Sequence, residues 1–194
     1  MNKSVNAGFR HTKIRHAMGY RMEDVEALLF FASVAISDTD GNLQAMMFAD
    51  CLMAFEAGIG TLHVLAEGHR QTAFCFVLDK YDDDSGAYHL HLVSVIKSAR
   101  RKGAGRALID AVMKDIGAEP VTLESRSEAA GFFESAGFKR SGMPLDHGLV
   151  AMHTNTTGRQ NSFKKPIYND VARKAYERRF VAIANKFGFN VGAG

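Results

Sequence analysis

The chain has 194 residues, 46% of them hydrophobic and 23% charged, with two cysteines and a formal net charge of +3. That length supports one sizeable core plus an appendage. Cys51 and Cys75 are too few for a disulfide framework and lack partners at zinc-ligand spacing, which points to core thiols in a reducing cytoplasm.

The first twenty residues carry Lys3, Arg10, Lys13 and Arg15 without an apolar leader core, and the longest apolar run, Ala27 to Ile36, is too short to span a bilayer. No membrane association is therefore expected. Residues 155 to 194 hold eight Lys or Arg against two acids, a balance of +6, while the first 154 hold sixteen against nineteen, a balance of −3. A mildly acidic body with a basic end concerns partners rather than fold.

Residues 9 to 16 (FRHTKIRH) alternate in character and predict a first strand. Apolar residues at 25, 28, 29 and 32 predict a helix from Glu23 to Ala35. After a turn at Asp38, Asp40, Gly41 and Asn42, Asn42 is placed to cap a second helix, Leu43 to Ala57, closed by Gly58. Met46, Met47, Phe48, Met53 and Phe55 give it a stripe that reads as core, with an apolar substrate wall as the alternative. Segments 61–67 and 71–79 alternate around Gly68-His69-Arg70 and predict a hairpin. Asp82, Asp83 and Asp84 lack the alternating spacing of a calcium loop and read as a solvated turn.

From Tyr88 to Ile96 the residues are mostly β-branched, aromatic or leucine, which predicts a buried strand. Arg100-Arg101-Lys102-Gly103-Ala104-Gly105-Arg106 follows, and then Ala107, Leu108, Ala111 and Val112 recur at helical spacing. A strand turning through glycines into a helix leaves unpaired N–H groups at the positive end of a helix dipole, a phosphate-binding arrangement. The Walker loop needs a different glycine spacing, and the dinucleotide fingerprint needs a third Gly where Leu108 stands. A strand at 121–124, a helix at 127–136 and two strands near 138–140 and 149–153 complete the body. Beyond Thr154 a polar loop leads to Asn169 or Asp170, either of which can cap a helix reaching Phe187. Its stripe of Val171, Ala175, Tyr176, Phe180, Ile183 and Phe187 is expected to dock on the chain's own domain or on a sister subunit in a homodimer. Contact with nucleic acid or an acidic protein is the alternative.

The pattern Arg-x-x-Gly-x-Gly from Arg100 to Gly105, five residues after Val95, resembles the pyrophosphate turn of the GNAT superfamily of N-acetyltransferases. Ala129, Phe132, Glu134, Gly137 and Phe138 resemble that family's later motif, which supports the thiol end of the coenzyme. The resemblance implies an α/β (α+β) fold: a mixed, mostly antiparallel sheet flanked by helices. The acetyltransferase domain would occupy residues 1–154, with a basic loop and a C-terminal helix appended at 155–194.

It implies acetyl-CoA as co-substrate and an amine acceptor. Backbone from Arg101 through Lys102, Gly103, Ala104 and Gly105 to Arg106 would cradle the diphosphate, with Arg100, Arg101, Lys102 and Arg106 adding charge. Val93 and Val95 would pair with the pantetheine arm, a backbone N–H near Val95 would polarise the acetyl carbonyl, Ser127 would hydrogen-bond the arm, and Phe132 and Phe133 would wall the thiol end.

His89 and His91 lie two apart, so strict alternation sends both to one side of the strand together with Val93 and Val95. An imidazole titrates near neutral pH and can take a proton from an ammonium. The stretch His89 to Val95 is similar to the corresponding strand of the arylalkylamine N-acetyltransferases, which implies amine deprotonation by His89 or His91. A metal role would need a third ligand, for which His63 is the nearest candidate; none is expected. Phe133 stands where relatives often carry a thiolate-protonating Tyr, leaving Tyr88, Ser94 and Ser127 or solvent for that task. No Cys or Ser lies in a nucleophile motif, so direct attack by a primary amine, most simply that of a small molecule, is expected. The competing expectations are a protein or aminoacyl-tRNA amine recruited by the basic tail, and a non-catalytic acyl-CoA- or nucleic-acid-binding module.

Overall fold

The computed structural model describes residues 8–80, 86–145, 148–154 and 170–189. The expected Asp82–Asp84 turn, the polar loop after Thr154 and a cap at Asn169 lie outside them. Seven strands form one sheet in the order β1-β2-β3-β4-β5-β7-β6. They are β1 (Phe9–Arg15), β2 (Gly60–Glu67), β3 (Arg70–Leu78), β4 (Tyr88–Val95), β5 (Val121–Arg126), β6 (Lys139–Pro144) and β7 (Leu149–His153). Every neighbouring pair is antiparallel except β4 and β5, which run parallel. This is the mixed, mostly antiparallel sheet expected.

One face of the sheet carries α1 (Met22–Val34), α2 (Gly41–Glu56) and α5 (Asp170–Lys186); the other carries α3 (Ala104–Ile116) and α4 (Ser127–Ser135). α2 is apolar all round, as a helix covered on both sides must be. Every residue from Met47 to Phe55 is buried, because the sheet lies under one side of it and α5 over the other. Its cap is Asp40, whose carboxylate accepts from the Leu43 N–H at 2.9 Å, and not Asn42, which sits inside the first turn.

α5 seats Phe180, fully buried, against Phe30 of α1 and Phe48 of α2 at ring-centroid distances of 5.1 and 5.5 Å. Tyr176 donates to Glu56, and Arg179 bridges Glu56 and Glu26. The contact stripe is Tyr176, Phe180, Ile183 and Ala184, with Phe187 stacked on Phe30 and tilted against Phe31. Val171 and Ala175 were expected on it but are exposed, Val171 at 78%. At 3.6 residues per turn Val171 lies about 140° round the helix from Tyr176 and Ala175 about 100°. Among the described residues no helix is long and apolar enough to cross a membrane.

Candidate active site

β4 and β5 pair only from Tyr88 to Leu90 and from Val121 to Leu123. Beyond that point they diverge, and among the described residues the β5-side edge of His91 to Val95 has no strand against it. β5 itself stays paired with β7 along Thr122 to Arg126, so the gap lies between β4 and an otherwise intact sheet.

A β-bulge adds a second irregularity to β4. Pairing with β3 runs from Ala73–Val95 to Phe76–Leu92 and resumes at Val77–Leu90, which leaves His91 as the extra residue. The bulge breaks the alternation that the sequence predicts. His89 and His91 do share one side, with ring centroids 6.0 Å apart, and both line a cavity of about 470 Å³ under α2. Leu92 and Ser94 then face α1 and α2, the Ser94 hydroxyl donating to the Ala32 carbonyl at 2.8 Å. Val93 and Val95 pack against the α3-side core, with Val93 also bordering the cavity.

Most of the cavity wall comes from four elements, with Ile36 after α1 and Leu149 of β7 completing it. α2 gives Leu43, Met46, Met47 and Asp50; β4 gives His89, His91 and Val93; β5 gives Glu124, Ser125 and Arg126; α4 gives Glu128, Ala129 and Phe133. Of the apolar residues on α2, Met46 and Met47 therefore reach the cavity while Phe48 and Phe55 belong to the core. His89 is 4% exposed, its Nδ1 2.9 Å from the Thr122 hydroxyl. His91 Nε2 is buried without a hydrogen-bond partner among the described residues and lies 3.6 Å from Asp50 Oδ2. Sequence reasoning missed Asp50. Its signal was present: it is the one charged residue between Leu43 and Phe55.

A second cleft of about 420 Å³ shares Ile36, Val93 and Arg126 with the cavity and is bordered by Arg100. The turn into α3 has Arg101 and Gly103 at φ of 60° and 85°. The first helical bond there is from the Ala107 N–H to the Gly103 carbonyl at 3.0 Å, so the N–H groups of Ala104, Gly105 and Arg106 have no partner within the helix. A Cβ on Gly105 would stand 3.3 Å from Val95 Cγ2 and 3.4 Å from Phe132 Cζ, so glycine lets α3 begin hard against β4.

The four expected cations divide into two pairs. Arg100 donates to the carbonyls of Val95 (3.0 Å) and Ala35 (3.1 Å) and pairs with Asp38 at 3.3 Å, holding that carboxyl below its ordinary range by hydrogen bond and charge. Arg106 is held by Asp110 and the Ser135 carbonyl. Arg101 and Lys102 are exposed, with no ion-pair partner among the described residues.

Phe133 lines the cavity, whereas Phe132, 36% exposed, lies against Gly105 at the turn. The Ser127 hydroxyl donates to the Gly148 carbonyl at 3.0 Å. None of Tyr88, Ser94 and Ser127 lines the cavity that holds the histidines. His63 sits apart from that cavity, its Nδ1 3.0 Å from His11 Nε2, in a pocket with Lys13 and Asp115. Burial holds the His63 imidazole neutral, its pKa lowered to about 3. Among the described residues no group of three or more metal-ligating side chains is present.

A family model described as an acetyltransferase (GNAT) domain matches residues 50–153. The chain belongs to the GNAT acetyltransferase family. Membership implies acyltransferase activity. The fold of this GNAT chain is shared with solved structures at low identity. Escherichia coli ElaA is 18% identical, with 76% of this chain and 99% of that one covered and a TM-score of 0.58. A Corynebacterium glutamicum protein described as histone acetyltransferase HPA2 and related acetyltransferase is 18% identical, covering 82% and 98%, TM-score 0.57. The PaiA N-acetyltransferase of Thermoplasma acidophilum, solved in complex with coenzyme A, is 14% identical, covering 75% and 98%, TM-score 0.55. No curated protein matches the sequence.

Proposed function

We propose that this GNAT chain is an acetyl-CoA-dependent N-acetyltransferase acting on the primary amine of a small molecule. The observation that carries the reading is the unpaired edge of β4 from His91 to Val95, which runs between the free N–H groups opening α3 and a cavity walled by two histidines. An extended arm can pair with such an edge as an added strand does. A diphosphate suits the helix start, where dipole and N–H groups act together, with Arg101 and Lys102 as its free cations. When bound there, the donor supplies an acetyl thioester to the cavity.

The chain's own part is positioning and proton handling. His91, whose Nε2 faces Asp50, takes a proton from the acceptor ammonium; His89, held by Thr122, fixes the neighbouring ring. A β4 N–H near Val95 polarises the carbonyl. The amine nitrogen then forms the C–N bond as the C–S bond breaks, with the electron pair leaving on sulfur. The second amine proton is delivered through solvent to the thiolate. A thiol with pKa near 8.5 leaves readily, so Phe133 in place of a tyrosine slows the step without abolishing it. Attack is direct: Cys51 and Cys75 are fully buried and burial pushes both thiols upward, away from nucleophilic thiolate.

The test is coenzyme A thiol release from acetyl-CoA with a panel of amines. Amine-dependent release supports the transferase, and saturable coenzyme binding without release contradicts it in favour of a binding module. A macromolecular acceptor recruited by the basic tail is the rival reading. Deleting residues 155–194 would not separate the two, because it strips Phe180 from Phe30 and Phe48. Charge reversal at exposed Lys174 and Arg178 does: it leaves small-amine turnover unchanged and weakens only a tail-recruited acceptor.

A further inference from the structure

We infer that Asp50 and His91 together form the seat of the acceptor's ammonium group, and that Asp50 makes the cavity selective for amines with no carboxylate beside the amino group. The inference rests on the reading of this cavity as the acceptor site.

α2 is buried from Met47 to Phe55, and Asp50 is its single charge over that span, 8% exposed. A carboxylate removed from water is costly unless it meets a cation or hydrogen-bond donors. Among the described residues Asp50 accepts no side-chain hydrogen bond, and its one ion-pair partner is His91 at 3.6 Å. That separation is too long for a hydrogen bond. The facing atom, His91 Nε2, is itself buried and unbonded. Two unmet polar groups thus face one another at the wall of a cavity large enough for a small amine.

An ammonium answers both. One of its N–H groups can reach the carboxylate and another the imidazole nitrogen, which places the acidic proton on the atom that removes it. Water could fill the same seat but brings no charge to offset Asp50. His91 is the bulged residue, and its ring stays on the side of His89, facing α2. On the opposite wall Glu124 and Glu128 add two carboxylates against one guanidinium, Arg126, so an acceptor carrying its own carboxylate meets repulsion. Met46 and Met47 offer an adaptable apolar wall for the body of the amine.

The test titrates the coenzyme A-loaded protein with phenethylamine and with phenylalanine by calorimetry, for the parent chain and for Asp50→Asn. The parent should bind phenethylamine at least about tenfold more tightly than phenylalanine. Asp50→Asn should weaken phenethylamine about tenfold or more, bring the two ligands within about threefold, and leave coenzyme A affinity within about twofold. An Asn variant that keeps the parent's amine affinity and preference overturns the inference, as does a parent chain that binds neither ligand. Equal losses of coenzyme and amine affinity would make Asp50 a structural charge and also overturn it. Thiol release with other amines would leave the transferase reading standing if the seat fails. Amine binding that depends on Asp50, with no thiol release, would retain the seat and sink the transferase.

Discussion

On the α3 side of the sheet the site is made of main chain: the N–H groups before Ala107, the unpaired edge of β4 and a glycine pressed between Val95 and Phe132. On the α1 and α2 side it is made of side chains: Asp50, Met46 and Met47 from α2, a helix otherwise largely buried in the core, and His89 and His91 from β4. Main-chain chemistry constrains which residues can stand at a few positions, so it leaves a pattern of glycines. Side-chain chemistry leaves a pattern only when the residue differs in character from its neighbours. The family match does not follow that division: it includes Asp50, His89 and His91 and leaves out β1. It covers β2 to β7 with α3 and α4, and it leaves out α1, most of α2 and α5.

If the two sides are separate units of construction, they should fail separately, beginning with stability. Phe180→Ala empties a site packed by Phe30 and Phe48 and should cost about 3–5 kcal/mol in urea denaturation, while the folded variant keeps the parent's coenzyme A affinity. Parallel loss of coenzyme affinity under conditions where the variant is folded would show the sides to be coupled. Gly105→Val reverses the pattern. Its branched side chain meets Val95 and Phe132, displaces the start of α3, and should cost about 100-fold, or about 2.8 kcal/mol, in coenzyme A affinity by calorimetry. Stability should fall by only about 1 kcal/mol.

The His63 pair at the back of the sheet sharpens the contrast through pH. The folded pKa of His63 is lowered to about 3 by burial, against an unfolded value near 6.5. The unfolded chain therefore binds the proton first. Stability is fully present above pH 6.5 and is lost as pH falls towards 3, by about 2 kcal/mol at pH 5. His63→Gln should flatten this slope in denaturation curves between pH 7.5 and 4; an unchanged slope would assign it to other groups. The smallest effect is expected at Arg179, whose side chain is 39% exposed where it meets Glu26 and Glu56. Arg179→Ala should destabilise by about 1 kcal/mol or less, and less again at high salt.

Most element positions were legible in the sequence because periodicity, turn residues and glycines agree along this chain. The sheet's divergence at Leu90 was not, since strand pairing is a property of two segments and is written in neither. The bulge at His91 also escaped: strict alternation carried Val93 and Val95 to the histidine side, whereas past the inserted residue both pack against the α3-side core, with Val93 also bordering the cavity. Arg100 reads from the motif as a diphosphate cation, yet in the fold Asp38 and two carbonyls hold it, a long-range contact that no local pattern announces. Asp50 was visible as an anomaly in an apolar helix, and only its proximity to His91 gave it a role. On α5, the stripe drawn from the sequence wandered off the contact face at Val171, whereas Phe180 stood at its centre.

The central claim is that the N–H groups opening α3 and the free edge of β4 hold one ligand in common. Backbone amide NMR during a coenzyme A titration tests it most directly. Saturable shifts should concentrate at Gly103 to Arg106 and at His91 to Val95, moving together with a single dissociation constant. A titration with no saturable shift, or with shifts gathered on α5 or around His11 and His63, would contradict the account.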